Sequence, residues 1–123
     1  MQINFVFLGC LFGLLSVALG AFGAHALAAT LTERMREIFE TAVKYQMYHA
    51  LALIGLGLWM KGSSSNLATA AGVGFALGIL IFSGSLYVLA LTEVRKWGMV
   101  TPIGGLAFLV GWACWAIAAL KNG

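Results

Sequence analysis

Residues 3–27 contain no aspartate, glutamate, lysine or arginine, and an apolar run of that length is long enough to cross a bilayer as a helix. Such a segment dissolves in water only if the rest of the chain wraps it, and the rest has the same character. Hydrophobic residues make up 62% of the sequence, charged residues 9%, and the mean hydropathy is +0.98. A soluble domain carries about a quarter charged residues because its surface faces water. The expected solvent is therefore lipid. At 123 residues the chain has room for about four spans of about 20 residues each, and none for a separate soluble catalytic domain.

The other apolar runs place spans at 43–61, 67–91 and 101–120, all within one domain, 1–123. The segment at 31–44 differs, and reads as an amphipathic helix lying at the interface or forming the entry to span two. Leu31, Met35, Ile38, Phe39 and Ala42 recur at helical spacing, with Glu33, Arg36, Glu37, Glu40 and Lys44 on the other side. Arg36–Glu40 and Glu40–Lys44 are opposite charges one turn apart, and Thr30 with Glu33 has capping-box spacing. The apolar heart of span two, residues 50–60, is too short to cross alone, so the span extends back and carries Gln46 and His49 into the membrane. Asn66 is a candidate cap for span three, and Thr101-Pro102 is a good helix start. The expected fold is all-α: a polytopic four-transmembrane-helix bundle with a short amphipathic helix between spans one and two.

The net charge of +3 is spread over helix ends, with no basic cluster of the kind that grips nucleic acid. Basic residues instead suit topology. Arg34, Arg36, Lys44, Arg95 and Lys96 fall in the loops after spans one and three, against Lys61 and Lys121 on the other side, which puts both termini outside the cytoplasm. Ala24-His25-Ala26 and Leu8-Gly9-Cys10 have the look of processing sites, but no basic residue precedes Arg34, so the first span is expected to stay uncleaved. Cys10 and Cys114 lie in apolar runs and read as free thiols.

Two sets of residues stand out. Gly9, Gly13 and Gly20 in span one, Gly74 and Gly78 in span three, and Gly104 and Gly111 in span four are spaced for close helix packing, within one bundle or between copies. His25, Gln46, His49, Ser83, Ser85, Tyr87 and Thr101 are polar groups that an up-and-down bundle gathers toward the cytoplasmic side. They read first as a hydrogen-bonded cluster pinning the helices, and second as a binding site for a small ligand or lipid head group. His25 and His49 are expected to approach one another or the Ser83–Tyr87 stretch, because an imidazole without a partner is costly in hydrocarbon. Two histidines raise haem ligation, but without carboxylates or thiolates nearby they fall short of a metal site, and no metal or other cofactor is expected. No charged residue sits at mid-bilayer, which argues against a proton-coupled exporter, and no phosphate loop or nucleophile elbow occurs.

Gly20-Ala21-Phe22-Gly23-Ala24-His25-Ala26-Leu27, then Phe39-Glu40-Thr41-Ala42-Val43-Lys44-Tyr45-Gln46-Met47-Tyr48-His49-Ala50-Leu51, then Phe82-Ser83-Gly84-Ser85-Leu86-Tyr87 and Thr101-Pro102-Ile103-Gly104-Gly105 resemble, in order and over nearly the whole chain, the family called domain of unknown function 423. That family is similar to the eukaryotic transmembrane protein 256. The resemblance implies a small multi-pass protein of the bacterial inner (plasma) membrane with four helices, and it implies no reaction or catalytic residue. The chain is expected not to be an enzyme. It reads as a structural, membrane-homeostasis or accessory subunit that associates with itself, with membrane lipid or with a membrane partner; a soluble partner is unknown. Two alternatives stay open: a small-molecule channel or transporter using the polar site, and a haem- or quinone-binding electron-transfer subunit.

Overall fold

In the computed structural model, which describes residues 3–122, α1 (Phe5–His25) starts where the Asn4 side chain accepts the Phe7 N–H at 3.0 Å. Its 21 residues rise about 31 Å, the thickness of a bilayer's hydrocarbon core. A tight turn over 26–31 follows. There Leu27 O accepts the Thr30 and Leu31 N–H groups and Thr30 Oγ1 donates back to it, so Thr30 is committed to the turn. The cap of α2 (Glu33–Ser63) is consequently Thr32, accepting from Met35 N at 3.2 Å, rather than the Thr30 expected from capping-box spacing.

α2 is a single helix of 31 residues. Of the two readings of the 31–44 segment, a separate amphipathic helix does not form: from Glu33 on the stretch makes the first turns of α2, because no proline or glycine interrupts the chain between Glu33 and Gly55. Ser65, not Asn66, caps α3 (Asn66–Thr92), accepting from Ala68 N at 3.1 Å. Midway, α3 widens into a π-helical turn, Ile79–Ser83, closed by the Gly84 N–H reaching Ile79 O. Glu93, at φ 57° and donating its N–H to Leu89 O, ends α3 in the left-handed region. A 3-10 turn, Arg95–Met99, leads to α4 (Thr101–Asn122), with Pro102 in its first turn where a missing N–H is harmless. There is no strand among the described residues.

The helices pack as two antiparallel pairs, α1 on α2 and α3 on α4, with α2 and α3 meeting in the middle. Close approach depends on glycine. A Cβ at Gly9 would lie 2.6 Å from Ala50 O on α2, and one at Gly74 would lie 3.0 Å from Ala107 O on α4. The main core is Leu53, Leu56, Ala71, Phe75, Ile79 and Phe108, and a smaller cluster of Ala42, Leu86 and Leu89 lies nearer the other end of α2. The periphery is as apolar as the core: Leu14 is 66% exposed, Leu109 68% and Leu120 86%. A water-soluble monomer does not sustain such a surface. Three segments are long and apolar enough to cross a membrane, α1, α3 and Arg95–Lys121. This is an integral membrane protein.

Candidate functional site

The polar residues gathered by the bundle centre on α2. Gln46 is nearly fully buried and bridges two neighbours: its Nε2 donates to Phe12 O of α1 at 2.9 Å, and its Oε1 accepts from Tyr87 Oη of α3 at 2.6 Å. One turn earlier on α2, the Ala42 carbonyl accepts from Ser83 Oγ at 2.7 Å. The π turn places this bond. It lets Ser83 face α2 while the Phe82 backbone meets Gly104 of α4. Two residues on, Ser85 Oγ and Thr101 Oγ1 share a hydrogen bond at 2.6 Å, tying α3 to the start of α4. Phe12 O is a double acceptor, taking the Ser16 hydroxyl at 2.9 Å as well as the Gln46 amide.

His49, one turn beyond Tyr45 on the same helix, links α2 to α4. Its Nε2 lies 3.0 Å from Trp112 Nε1, and its Nδ1 lies 2.7 Å from Tyr45 O. An indole N–H can only donate, so Nε2 is the acceptor and the ring proton sits on Nδ1, donated to the Tyr45 carbonyl. The imidazole also stacks face to face on Phe108 at 3.6 Å between ring centroids and 8° between planes. With both nitrogens and one face occupied, the ring has no lone pair to offer a haem iron. Tyr45 stacks near it and contacts Phe82 at 4.7 Å, so aromatic rings of α2, α3 and α4 pack as one layer beside the polar atoms.

Six of the seven residues expected in a polar cluster, Gln46, His49, Ser83, Ser85, Tyr87 and Thr101, therefore lie in four hydrogen-bonded groups that together join four helices. His25 does not join them. It is the last residue of α1, exposed beside the 26–31 turn, and the expected approach to His49 or to the Ser83–Tyr87 stretch does not occur. Its position explains this: α1 ends there, and the partners of α1 in the network lie more than three turns back, at Phe12. No group of three or more His, Cys, Asp or Glu side chains poised for a metal occurs among the described residues.

Sequence reasoning missed Trp112 and the carbonyls of Phe12, Ala42 and Tyr45. Trp112 had a readable signal, since an indole N–H away from the membrane interface requires an acceptor. The carbonyls had none, because a backbone acceptor carries no residue identity. The expected packing glycines divide. Gly9 and Gly20 face α2, where a Cβ at Gly20 would meet Val43 at 3.3 Å; Gly13 is roomier, with Ala50 Cβ at 4.0 Å. Gly74, Gly78, Gly104 and Gly111 all lie in the α3–α4 seam, so six of the seven serve close packing inside the chain.

A family model described as "Protein of unknown function (DUF423)" matches residues 19–105. A UPF0382 membrane protein of Staphylococcus epidermidis is 48% identical over 117 residues, 95% of this chain and 95% of its own. The UPF0382 membrane protein YwdK of Bacillus subtilis is 42% identical over 118 residues, covering 95% of this chain and 96% of its own. The UPF0382 inner membrane protein YgdD of Escherichia coli is 44% identical over 109 residues, 89% of this chain and 83% of its own. No solved structure matches. Coverage of this extent at these identities, on an all-helical apolar fold, places the chain in the DUF423 family of UPF0382 membrane proteins.

Proposed function

We propose that the chain is a non-catalytic accessory protein of the bacterial inner membrane, crossing it four times and acting through its outer surface on lipid, on a second copy or on another membrane protein. The supporting observation is that the interior is fully committed: among the described residues no buried side-chain nitrogen or oxygen lacks a hydrogen-bond partner. A solute path or a catalytic centre needs polar groups free to meet a substrate, and here those groups meet one another.

The fourth crossing is α2, and packing supports it where apolarity does not. α1 lies along α2 from Val6 beside Gly57 to Gly23 beside Phe39, so that part of α2 shares the depth of an apolar span. Its polar residues Gln46 and His49 point inward, while Leu51 and Leu58 face out. Both termini then lie on one side, and the excess of basic residues at the opposite end puts them outside the cytoplasm. No nucleic acid enters this reading.

Native mass spectrometry of the full chain released from nanodiscs tests the proposal. Retention of a second copy, a partner or tightly held lipid is the expected result. A bare monomer from every preparation, with solute flux across vesicles that depends on the protein, would contradict it.

A further inference from the structure

A cleft of about 370 Å³ opens between the last turns of α1, the 26–31 turn and the first half of α2. Ala24 and Ala28 form an open floor, Gly20 and Gly23 lie beneath the Val43 and Phe39 side chains, and Arg36, Glu40 and Lys44 stand one turn apart along the α2 wall. Its size is that of a small-ligand site. None of these residues belongs to the hydrogen-bonded network described above.

Depth makes the wall unusual. Lys44 follows Val43, which packs on Gly20, five residues before the end of α1. That places the root of its side chain about 7 Å inside the apolar span. An ionisable side chain at that level snorkels toward the interface and pairs with counter-charge, which Glu40 one turn back supplies in part and a bound phosphate would complete. The cleft's charges alternate: two cations flank one carboxylate. This end of the molecule as a whole is nearly balanced, with Arg34, Arg36, Lys44, Arg95 and Lys96 set against Glu33, Glu37, Glu40 and Glu93. It lacks the polybasic character that selects anionic lipid.

Resting on the membrane-spanning reading above, we infer that this cleft holds one phospholipid with a zwitterionic, primary-amine head group. Its phosphate sits with Lys44 and Arg36, its ammonium on Glu40, and an acyl chain lies along the floor at Ala24 and Ala28. A primary ammonium donates hydrogen bonds to a carboxylate, whereas a quaternary choline offers none, so Glu40 is the element of the site that discriminates between them.

The test is native mass spectrometry of the full chain equilibrated with equal amounts of phosphatidylethanolamine, phosphatidylcholine and phosphatidylglycerol of identical acyl composition. Wild type should retain one ethanolamine lipid per chain, preferred over choline by roughly threefold to fivefold, the scale of a partly exposed charge pair. Glu40→Gln should bring that preference close to parity while lipid is still retained. Lys44→Gln should lower retention of all three lipids, and Lys44→Arg should restore it. Ala24→Leu, at an exposed floor position, should block the cleft in a folded protein. Preference for the glycerol lipid, indifference to Glu40 and Lys44, or no retained lipid would each overturn the inference. Because adducts are read separately on monomer and oligomer peaks, a lipid-bearing monomer leaves the inference standing while counting against self-association, and a lipid-free dimer does the reverse.

Discussion

α1 and α2 lie side by side, yet the more apolar of the two is the more peripheral. α1 has no charged residue and turns Phe7, Leu14 and Val17 outward, with Ser16 its one buried hydroxyl. α2 is longer, carries seven charged residues, and buries Gln46 and His49 where three other helices meet it. In water the most apolar helix goes to the centre of a fold. In lipid the outer position is open to apolar side chains, while polar ones are satisfied only by neighbouring helices, so the order inverts. The helix that looks least like a membrane span becomes the hub.

The contrast can be broken at the seam between the two helices. Gly9→Leu forces a side chain into the Ile54 side chain and, behind it, the Ala50 carbonyl and the Ile54 backbone nitrogen, which cannot yield without moving α2. A loss of about 3 kcal/mol is expected, seen as an earlier midpoint in SDS titration followed by tryptophan fluorescence. Smaller and more specific is the Gln46 bridge. Gln46→Leu leaves Tyr87 Oη without its acceptor and Phe12 O without one of its donors, and should cost about 1–2 kcal/mol. In a cycle with Tyr87→Phe, coupling of about 0.5–1.5 kcal/mol should appear, and strict additivity would remove the bridge from the account. His49→Phe keeps a ring against Phe108 but gives Trp112 no acceptor, and a loss of about 1 kcal/mol is expected by the same titration. At the small end, Leu14→Ala on the outer face of α1 exchanges a protein–lipid contact for another and should shift the midpoint by less than about 0.5 kcal/mol. An outer-face change as costly as the Gln46 change would erase the distinction between the helices.

What the sequence made legible follows the same division. α1, α3 and α4 announce themselves through length and apolarity, and the glycines of the α3–α4 seam through their spacing. The extension of the second helix back through Gln46 and His49 was readable from the shortness of residues 50–60. Local capping was less so, because Thr30 and Thr32 are chemically equivalent and only the geometry of the 26–31 turn chooses between them. The cluster's membership was readable because polar groups in hydrocarbon have to pair. Its wiring was not, since its carbonyl acceptors are anonymous and the π turn that aims Ser83 at Ala42 leaves no mark in residue spacing. His25 fails for a related reason: a histidine at a helix end meets water or head groups and has no need of a protein partner.

The central claim is that α2 crosses the bilayer with its polar residues turned inward, and the sidedness of its two ends tests it most directly. In a background of Cys10→Ala and Cys114→Ala, single cysteines at the exposed positions Thr30 and Ser64 bracket the helix. Treated with a membrane-impermeant maleimide in spheroplasts of the expressing bacterium, Ser64→Cys should label without permeabilisation and Thr30→Cys only after it. Equal labelling of both positions before permeabilisation would place the two ends of α2 on the same side and contradict the account.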